Sequence, residues 1–292
     1  MDIAELFYRG HWIFRGQADD SWPLSSSLER ELSRVGTQHS LAYERAILNG
    51  IRLASSSYPE CRDLEWDDYL SWLALLQHHG CKTRLVDFTE SFYVALYFAL
   101  RDLPCISDGK STGVSTVWAI SRYFLDREPE RLRVHTVTDG CKMRDYELFD
   151  IPGKQSWDLA NTVISNYQDS LGYESPRGVA YYKPTRLTSR MIAQQGIFLV
   201  PLDIGISFQE NLFDGLGLQP SEPPTECTDL AVVACALRHR AHIIKIRIPQ
   251  SYNQDHRTLL SHLKMMNITE ATVFPGLDGY ARSLNYYAAL SK

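Results

Sequence analysis

The stretch QHHGCKTRLVDFTESFYVALYFA, residues 77–99, says more about the fold than any other part of the chain. It places Thr83, Arg84 and Asp87 inside an apolar run. Residues 91–101 follow directly and are so apolar that they predict an internal helix. Buried polar groups cost free energy unless they have partners or a function. The stretch therefore predicts a short buried strand at 83–88 and, beside it, one face of a functional cleft.

The segments on either side extend this pattern. Residues 69–77 predict a helix that ends at Gly80, because glycine adopts the left-handed conformation at a helix end without a Cβ clash. Residues 11–16, HWIFRG, predict a strand that ends at Gly16. The apolar periodicity predicts the other elements, which are strands at 113–120, 196–202, 242–249 and 271–275, and helices at 40–53, 255–266 and from 278 onward.

Strands scattered among helices predict an α+β fold, with a single mixed β-sheet as its core and helices flanking it. We expect one domain over residues 1–292, with a partly helical insertion over the core at 122–185. Residues 205–230 are rich in Gly, Pro, Ser and Glu and predict an exposed loop.

The composition limits the classes of function. Of the 292 residues, 44% are hydrophobic and 22% are charged, and the formal net charge is -5. This balance argues against a dedicated binder of duplex nucleic acid, which would carry a clustered excess of Lys and Arg. The six cysteines form no C-x-x-C pair, so we expect reduced thiols in a cytoplasmic protein.

No targeting segment or metal site is expected. The first ten residues, MDIAELFYRG, have no signal-peptide pattern, and no apolar run reaches the ~20 residues of a membrane helix. His78, His79 and Cys81 are the best candidates for zinc ligands, but no fourth ligand is spaced nearby.

Five motifs occur in the order found in a known family. They are FRG at 14–16, QHHGCKTRLVDFT at 77–89, ALYFA at 95–99, RMIAQQGIF at 190–198 and FPGLDG at 274–279. Together they resemble the FRG domain, a prokaryotic and phage family named for its first motif. The motifs span about residues 10–285, which is nearly the whole chain.

The order of parts is also similar to that of ADP-ribosyltransferases of the Arg–Ser–Glu type. Residues 14–16 resemble their first strand, and residues 87–89, followed by 95–98, resemble the second strand and its helix. Residues 190–198 lie where the third strand and its catalytic Glu are expected, but they contain no acid. The resemblance implies an ADP-ribosyltransferase-like fold and NAD as a substrate.

The resemblance also implies roles in NAD binding. Arg15 would hold a phosphate or ribose, and Gly16 would let the ligand approach the backbone. Thr89 would hold the nicotinamide ribose, and Phe88 or Tyr97 would face the nicotinamide ring. The predicted cofactor-binding residues are Arg15, Gly16, Gln77, Arg84, Asp87 and Thr89, and the predicted catalytic residues are Arg15, His78, Thr89, Gln194 and Glu270.

The missing acid has to come from another segment if the protein is an enzyme. A carboxylate is needed to stabilise the positive charge that develops as the glycosidic bond breaks. Glu270, which precedes the predicted strand 271–275, is the first choice by position, and Glu90 and Glu147 are weaker candidates. His78 could act as an acid or base, since imidazole titrates near neutral pH.

Structural roles compete with these functional ones. Arg15 could instead bridge a carboxylate such as that of Asp87, and His78 could instead cap the C-terminus of its helix. Arg84 and Asp87 lie three residues apart on a short strand and therefore face opposite sides, so each needs a different partner.

Three functions stay open. The first is an ADP-ribosyltransferase-like, NAD-consuming protein, a toxin or anti-phage defence effector that modifies a protein or nucleic-acid acceptor. The second is a module that binds a nucleotide or nucleic-acid end without chemistry. The third is a nuclease-like hydrolase that uses His78 and Asp87. For the first two functions we expect one set of side chains to converge on a common pocket, namely Arg15, Gln77, His78, Thr89 and Gln194.

Overall fold

The structure, a computed structural model, describes residues 7, 12–36, 39–101, 113–122, 125, 134–138, 142–146, 156–169, 176–215, 225–227, 230–238, 241–249 and 253–290. The predicted α+β class is confirmed, because the described residues form a single mixed seven-stranded sheet with flanking helices.

The strands are β1 (Trp12–Gln17), β2 (Val86–Thr89), β3 (Val114–Ser121), β4 (Val134–Thr138), β5 (Lys142–Tyr146), β6 (Val179–Tyr182), β7 (Gly196–Pro201), β8 (Thr225–Cys227) and β9 (Ile243–Pro249). The main sheet has the order β6-β7-β2-β1-β3-β9-β8, and β4 and β5 form a separate pair. Only the β8–β9 pair of the main sheet is parallel among the described strands.

The helices are α1 (Ser27–Val35), α2 (Ser40–Ala54), α3 (Tyr69–His78), α4 (Phe92–Arg101), α5 (Ser156–Asp169), α6 (Ser189–Gln194), α7 (Phe208–Gly215), α8 (Leu230–Arg238), α9 (Asn253–Met265), α10 (Glu270–Val273) and α11 (Leu277–Leu290). Ser55–Ser57 and Pro59–Cys61 are short 3-10 helices. The predicted helices are confirmed to within two residues at each end that was predicted. Within the described ranges, no helix combines the length and apolar character needed to span a membrane.

The end of α3 confirms the role predicted for Gly80. Gly80 has a φ of 89°, a left-handed conformation. Its N–H donates to the carbonyl of Gln77 at 3.0 Å, and the N–H of Cys81 donates to the carbonyl of Leu76 at 2.9 Å. The chain therefore turns sharply from α3 towards β2, and this brings the last residues of α3 beside that strand.

Alternating side chains on the strands form two cores, one on each face of the sheet. On one face, Ile13 and Trp118 pack with Phe208 of α7. On the other face, Phe14 packs with Ala95 and other residues of α4. The apolar character of α4 follows from this central position.

Gly16 allows α4 to approach β1 closely. A Cβ at position 16 would lie 1.9 Å from the carbonyl oxygen of Ala95 and 2.6 Å from the nitrogen of Ala99. The space over Gly16, which the resemblance assigns to a ligand, is therefore occupied by the backbone of α4.

The prediction of a last strand at 271–275 is wrong. Residues 270–273 form α10, because Thr269 and Thr272 make a capping box. The N–H of Thr272 donates to Oγ1 of Thr269 at 3.3 Å, and the N–H of Thr269 donates to Oγ1 of Thr272 at 2.9 Å. These local bonds start a helix although the residues that follow favour a strand.

Two longer segments are also more ordered than their composition indicates. The predicted loop 205–230 contains α7, with Phe208 and Leu212 fully buried, and β8, so that prediction is wrong in these two parts. The predicted insertion 122–185 contains β4, β5, α5 and β6, and β6 pairs with β7 in the main sheet. The boundaries of the insertion stay a prediction.

Candidate functional site

Arg15 lies where two strands of the sheet separate. β1 and β2 share a single register pair, Phe14 opposite Thr89. Beyond it, Nη1 of Arg15 donates to the main-chain carbonyl of Asp87 at 2.6 Å, and its buried Nε has no partner among the described residues. Burial lowers the pKa of Arg15. The charge of Arg30 lowers this pKa further, while the charge of Asp87 opposes both effects. An arginine stays cationic even so, which makes this a partly buried positive charge.

Gln77 joins the end of α3 to β2. Its Nε2 donates to Oδ1 of Asp87 at 3.0 Å, and its Oε1 accepts a hydrogen bond from the hydroxyl of Thr83. The Asp87 side chain is exposed and makes no other hydrogen bond within the described residues. It is therefore a carboxylate that is held in place yet still able to accept a hydrogen bond from a hydroxyl group.

Hydrogen bonds continue from β2 to α6 and α10. The Thr89 hydroxyl donates to the main-chain carbonyl of Gln194 at 2.6 Å and accepts the N–H of Ser91 at 3.0 Å. Nε2 of Gln194 donates to the carbonyl of Val273 at 3.1 Å. Thr89 and Gln194 thus hold three elements together, and a ligand would have to displace one of these bonds to engage the Thr89 hydroxyl.

Glu270 is the first residue of α10 and lies among three donors. Its Oε2 accepts from the Tyr97 hydroxyl at 2.5 Å, and its Oε1 accepts from Nε of Arg282 at 2.7 Å. Nη2 of Arg101 is 3.5 Å from Oε1. Burial raises the pKa of Glu270, but the bonds from Tyr97 and Arg282 and the charge of Arg101 outweigh it, so the net pKa is lowered. Glu270 is therefore an ionised carboxylate.

Three guanidinium groups surround the ring of Phe274. Their Cζ atoms lie 4.7 Å from the ring centroid for Arg101, 4.7 Å for Arg190 and 5.0 Å for Arg282. Each contact of this kind is attractive. The cations nevertheless repel one another, and Arg282 and Arg101, after burial, lower the pKa of Arg190. Positive charge is thus concentrated on one side of α10.

Arg190 connects the two halves of the site. The carboxylates of Asp87 and Glu270 both raise its pKa against the effect of burial, so its charge is within electrostatic reach of each. Burial lowers the pKa of His78, at the exposed end of α3, and His79 and Arg190 lower it further. His78 is therefore neutral at neutral pH.

Arg84 lies outside this group. Its Nε and Nη2 donate to Glu44 at 2.7 and 2.5 Å, and its Nη1 donates to the carbonyls of Pro201 and Leu202 at 3.2 and 3.3 Å. Arg84 is 1% exposed and Glu44 is 0% exposed. The pair joins α2 to the end of β7 and does not bring Arg84 to the other predicted residues.

The weaker candidate acids lie elsewhere. Glu90 follows β2 and accepts hydrogen bonds from Lys183 at 2.7 Å, Tyr181 at 3.3 Å and Arg122 at 3.4 Å. Glu147 lies outside the described residues. The part of the chain that the structure describes contains no cluster of three or more His, Cys, Asp or Glu side chains that could hold a metal ion.

The structure brings together more cations than the sequence indicated. Arg15, Gln77 and Asp87 are in direct contact, and Arg190 lies within electrostatic reach of Asp87, His78 and Glu270. The site residues that were not predicted are Arg101, Arg190, Phe274 and Arg282. Arg190 and Phe274 each open a recognised motif, which is a signal that could have found them, whereas nothing in the sequence marks Arg101 or Arg282.

These features define an α+β protein with a cationic site beside the separation of two central strands. Residues 10–104 match the family model of the FRG domain. This match confirms the resemblance to the FRG domain that the motifs at 14–16 and 77–89 indicated. The motifs at 190–198 and 274–279 lie beyond the matched residues.

No curated protein and no solved structure matches the chain. The resemblance to ADP-ribosyltransferases stays a prediction.

Proposed function

We propose that this protein binds a phosphate-bearing nucleotide, with NAD as the first candidate, at the site around Arg15 and Asp87. The observation that carries the proposal is the state of Arg15. It is a partly buried cation with one hydrogen bond to a carbonyl and an unpaired Nε. A cation withdrawn from water without an anion costs free energy, and a phosphate would supply the missing partner.

Two other arginines with an unpaired, buried Nε have clear compensation. Arg52 lies over the ring of Tyr69 at 4.3 Å, and Arg247 is 2.7 Å from a carboxylate oxygen of Asp20. Arg15 has no carboxylate within salt-bridge distance among the described residues. The position of its charge is therefore better explained by a ligand than by the packing of the fold.

The neighbours of Arg15 favour a nucleotide over a simple anion. The exposed Asp87 carboxylate, oriented by Gln77, is suited to accept a hydrogen bond from a ribose hydroxyl. Neutral His78, which follows Gln77 in the chain, offers one donor and one acceptor. A phosphate partner and a sugar partner match the two polar parts of a nucleotide.

Titration calorimetry on the full chain tests the proposal, with NAD, ADP-ribose and AMP as ligands and nicotinamide as the ligand without phosphate. We expect the three phosphate-bearing ligands to bind and nicotinamide alone not to. Arg15→Ala should weaken binding by roughly tenfold to a hundredfold, the effect of losing one hydrogen bond to a charged group. Arg177→Ala is the control, because Arg177 is an exposed arginine in a surface pair with Asp214.

The variants separate binding from folding. Arg15→Lys keeps the charge and loses the fork of donors, so it should bind more weakly than the wild type and more tightly than Arg15→Ala. Circular dichroism would verify that each variant is folded. The proposal fails if the wild type binds none of the phosphate-bearing ligands, or if folded Arg15→Ala binds them as well as Arg177→Ala does.

Consumption of NAD is the second candidate function, and it rests on Glu270. This carboxylate is 15% exposed, ionised and held by two hydrogen bonds, as a group that stabilises developing positive charge needs to be. An ADP-ribosyltransferase or NAD glycohydrolase of this kind would act as a toxin or anti-phage effector, by depleting NAD or by modifying a protein or nucleic-acid acceptor.

Release of free nicotinamide from NAD tests this second function. If the wild type is active, Glu270→Gln should lower the rate by about two orders of magnitude or more while binding of NAD persists. An active wild type with an equally active Glu270→Gln variant would exclude Glu270 as the acid. Binding of NAD without any nicotinamide release, with and without acceptors, would leave the protein as a nucleotide-binding module.

A further inference from the structure

The ring of Phe274 is in contact with two guanidinium groups that reach the surface. Cζ of Arg190 lies 4.7 Å from the ring centroid, and Cζ of Arg282 lies 5.0 Å from it. Arg190 is exposed and makes neither a hydrogen bond nor a salt bridge to any described residue. Arg282 is 48% exposed and, within the described residues, donates only through Nε, to Glu270 at 2.7 Å. One ring thus holds both cations, while their terminal N–H groups bond none of the described residues.

The two cations share a single nearby carboxylate. Glu270 pairs with Arg282, and it also accepts the Tyr97 hydroxyl at 2.5 Å and lies 3.5 Å from Arg101. Among the described residues, no carboxylate lies within salt-bridge distance of Arg190. One carboxylate therefore faces more than one cation, and the excess positive charge attracts an anion from solution.

This pair of arginines lies on the other side of the sheet from Arg15. Along β1, Phe14 packs against α4, whereas Arg15 is in register with Trp118, which belongs to the core on the opposite face. Phe274 packs with Tyr97 of α4. The arginines at Phe274 therefore belong to a site separate from the one proposed at Arg15.

We propose that the terminal phosphate of a small phosphate ester, such as a sugar phosphate, binds to Arg190 and Arg282. A phosphate monoester carries close to two negative charges at neutral pH and presents three acceptor oxygens. A guanidinium group pairs with such oxygens through two parallel N–H···O bonds. A diester has a single charge and fewer free oxygens, so two guanidinium groups favour the monoester. The inference goes beyond the proposed function, because it needs no contact with Arg15.

Titration calorimetry on the full chain with ribose 5-phosphate tests this site. Ribose and dimethyl phosphate are the matched ligands that lack the monoester. Ribose 5-phosphate should bind, ribose should not, and dimethyl phosphate should bind at least roughly tenfold more weakly, because it makes fewer hydrogen bonds to charged groups. Arg15→Ala removes the contact proposed for nucleotides, and ribose 5-phosphate should still bind to this variant. Arg15→Gln serves the same purpose if Arg15→Ala does not fold.

Variants at the ring, combined with the Arg15 substitution, locate the binding. Arg190→Ala and Arg282→Ala should each weaken the binding of ribose 5-phosphate roughly tenfold or more, since hydrogen bonds to a charged group are lost. Arg190→Lys keeps the charge and loses the fork of donors, so its affinity should lie between those of Arg190 and Arg190→Ala. Arg177→Ala removes the same charge from an exposed surface pair and should leave the affinity unchanged. Circular dichroism would verify that each variant is folded.

The possible results separate this inference from the proposed function. The inference is wrong if the wild type does not bind ribose 5-phosphate or binds dimethyl phosphate equally well. It is also wrong if the Arg15 substitution abolishes binding, or if binding survives both Arg190→Ala and Arg282→Ala. None of these results contradicts the binding of NAD at Arg15, which the nucleotide titrations measure. Binding of ribose 5-phosphate that requires Arg190 and persists without Arg15 supports the site at Phe274 even when no nucleotide binds at Arg15.

Discussion

At the scale of the residue, Gly16 illustrates how a family motif can have a packing cause. β1 and α4 meet at position 16, which has no side chain. The backbone of Ala95 fills that space. Arg15, its neighbour in the FRG motif, has a buried Nε without a partner among the described residues. The motif thus combines a packing requirement with a candidate ligand contact in adjacent residues.

Replacing Gly16 with alanine should destabilise the protein. The added Cβ would lie 1.9 Å from the carbonyl oxygen of Ala95, so α4 or β1 must move. Overpacking of this kind costs about 1–3 kcal/mol, and contact with rigid backbone favours the upper end of that range. Urea denaturation would measure the change in the free energy of unfolding.

Gly50→Ala is the matched control for this prediction. Gly50 lies within α2, and a Cβ there would meet no atom within 4 Å. The substitution should stabilise the helix by about 0.5–1 kcal/mol, because glycine loses more backbone entropy than alanine on folding. Equal effects of the two substitutions on stability would contradict the close packing at Gly16.

Glu270 should make stability depend on pH. Its folded pKa lies below its ordinary value of 4.5, so its ionised form contributes stability that is fully present above about pH 4.5. This contribution is lost as the pH falls through the lowered folded pKa, because the carboxylate becomes protonated in the folded protein as well. Glu270→Gln should therefore be less stable than the wild type near neutral pH, and the difference should shrink in acid.

Chemical denaturation of both proteins across this pH range would measure the difference. Tyr97→Phe, which removes the 2.5 Å hydrogen bond to Glu270 and leaves the arginines, should show a smaller difference with the same dependence. A constant difference between wild type and Glu270→Gln down to strong acid would show that Glu270 is not the titrating group.

At the scale of the element, the shortest described α-helix positions much of the candidate site. α10 has four residues, yet it presents Glu270 to two arginines and is followed by Phe274, the ring that three arginines contact. Its capping box starts the helix at a fixed residue. The positions of Glu270 and Phe274 therefore depend on local bonds between two threonines.

Thr269→Ala should affect both stability and ligand binding. Loss of the cap costs about 1 kcal/mol and leaves the N–H of Thr272 without its partner. Because α10 then starts less regularly, the affinity for a phosphate-bearing nucleotide should fall as well. Calorimetry and urea denaturation on the same preparation would measure the two effects.

Ser26→Ala provides the control, since Ser26 and Glu29 form a capping box at α1. That substitution should cost a similar amount of stability and leave nucleotide affinity unchanged. If Thr269→Ala destabilises the protein but binds ligand like Ser26→Ala, α10 has no role in the site.

At the scale of the whole molecule, the fold depends on one sheet with a core on each face. The buried clusters draw on helices from early and late parts of the chain, so α4, α7 and α8 all pack against the same sheet. Apolar burial of this extent is the main favourable contribution to folding in a protein of this size.

The protein should fold without a metal ion. Among the described residues no group of potential ligands could hold one, and the pair His78 and His79 places its rings at 88° to each other, 5.1 Å apart. Treatment with a chelator should leave the thermal unfolding midpoint unchanged, and elemental analysis should find no stoichiometric zinc. Loss of the fold together with a bound metal would contradict this prediction.

Local sequence determined most of the elements. The run from Phe92 to Arg101 is apolar on every side, and a helix of that composition can only be internal. The alternating residues 243–249 form a strand, and Gly80 takes the left-handed conformation that ends α3. These features depend on neighbours a few residues apart, so the order of residues alone is sufficient to predict them.

Two other elements differ from what their local composition favours. Residues 271–275 are β-prone, but the capping box before them starts a helix. Residues 208–215 lie in a segment whose composition is typical of loops, yet Phe208 and Leu212 are buried against the sheet. In α7 the burial of the apolar side chains stabilises the helix, and this contribution exists only when the sheet is already in place.

The site was decided by the tertiary structure. The sequence placed Arg15, Gln77, His78 and Asp87 in motifs, because polar residues in apolar runs are conspicuous. It could not show that Arg15 would bond a carbonyl 72 residues away, or that three arginines from separate helices would surround Phe274. Electrostatic interactions act through space rather than along the chain, so only the folded arrangement shows which charges lie close to one another.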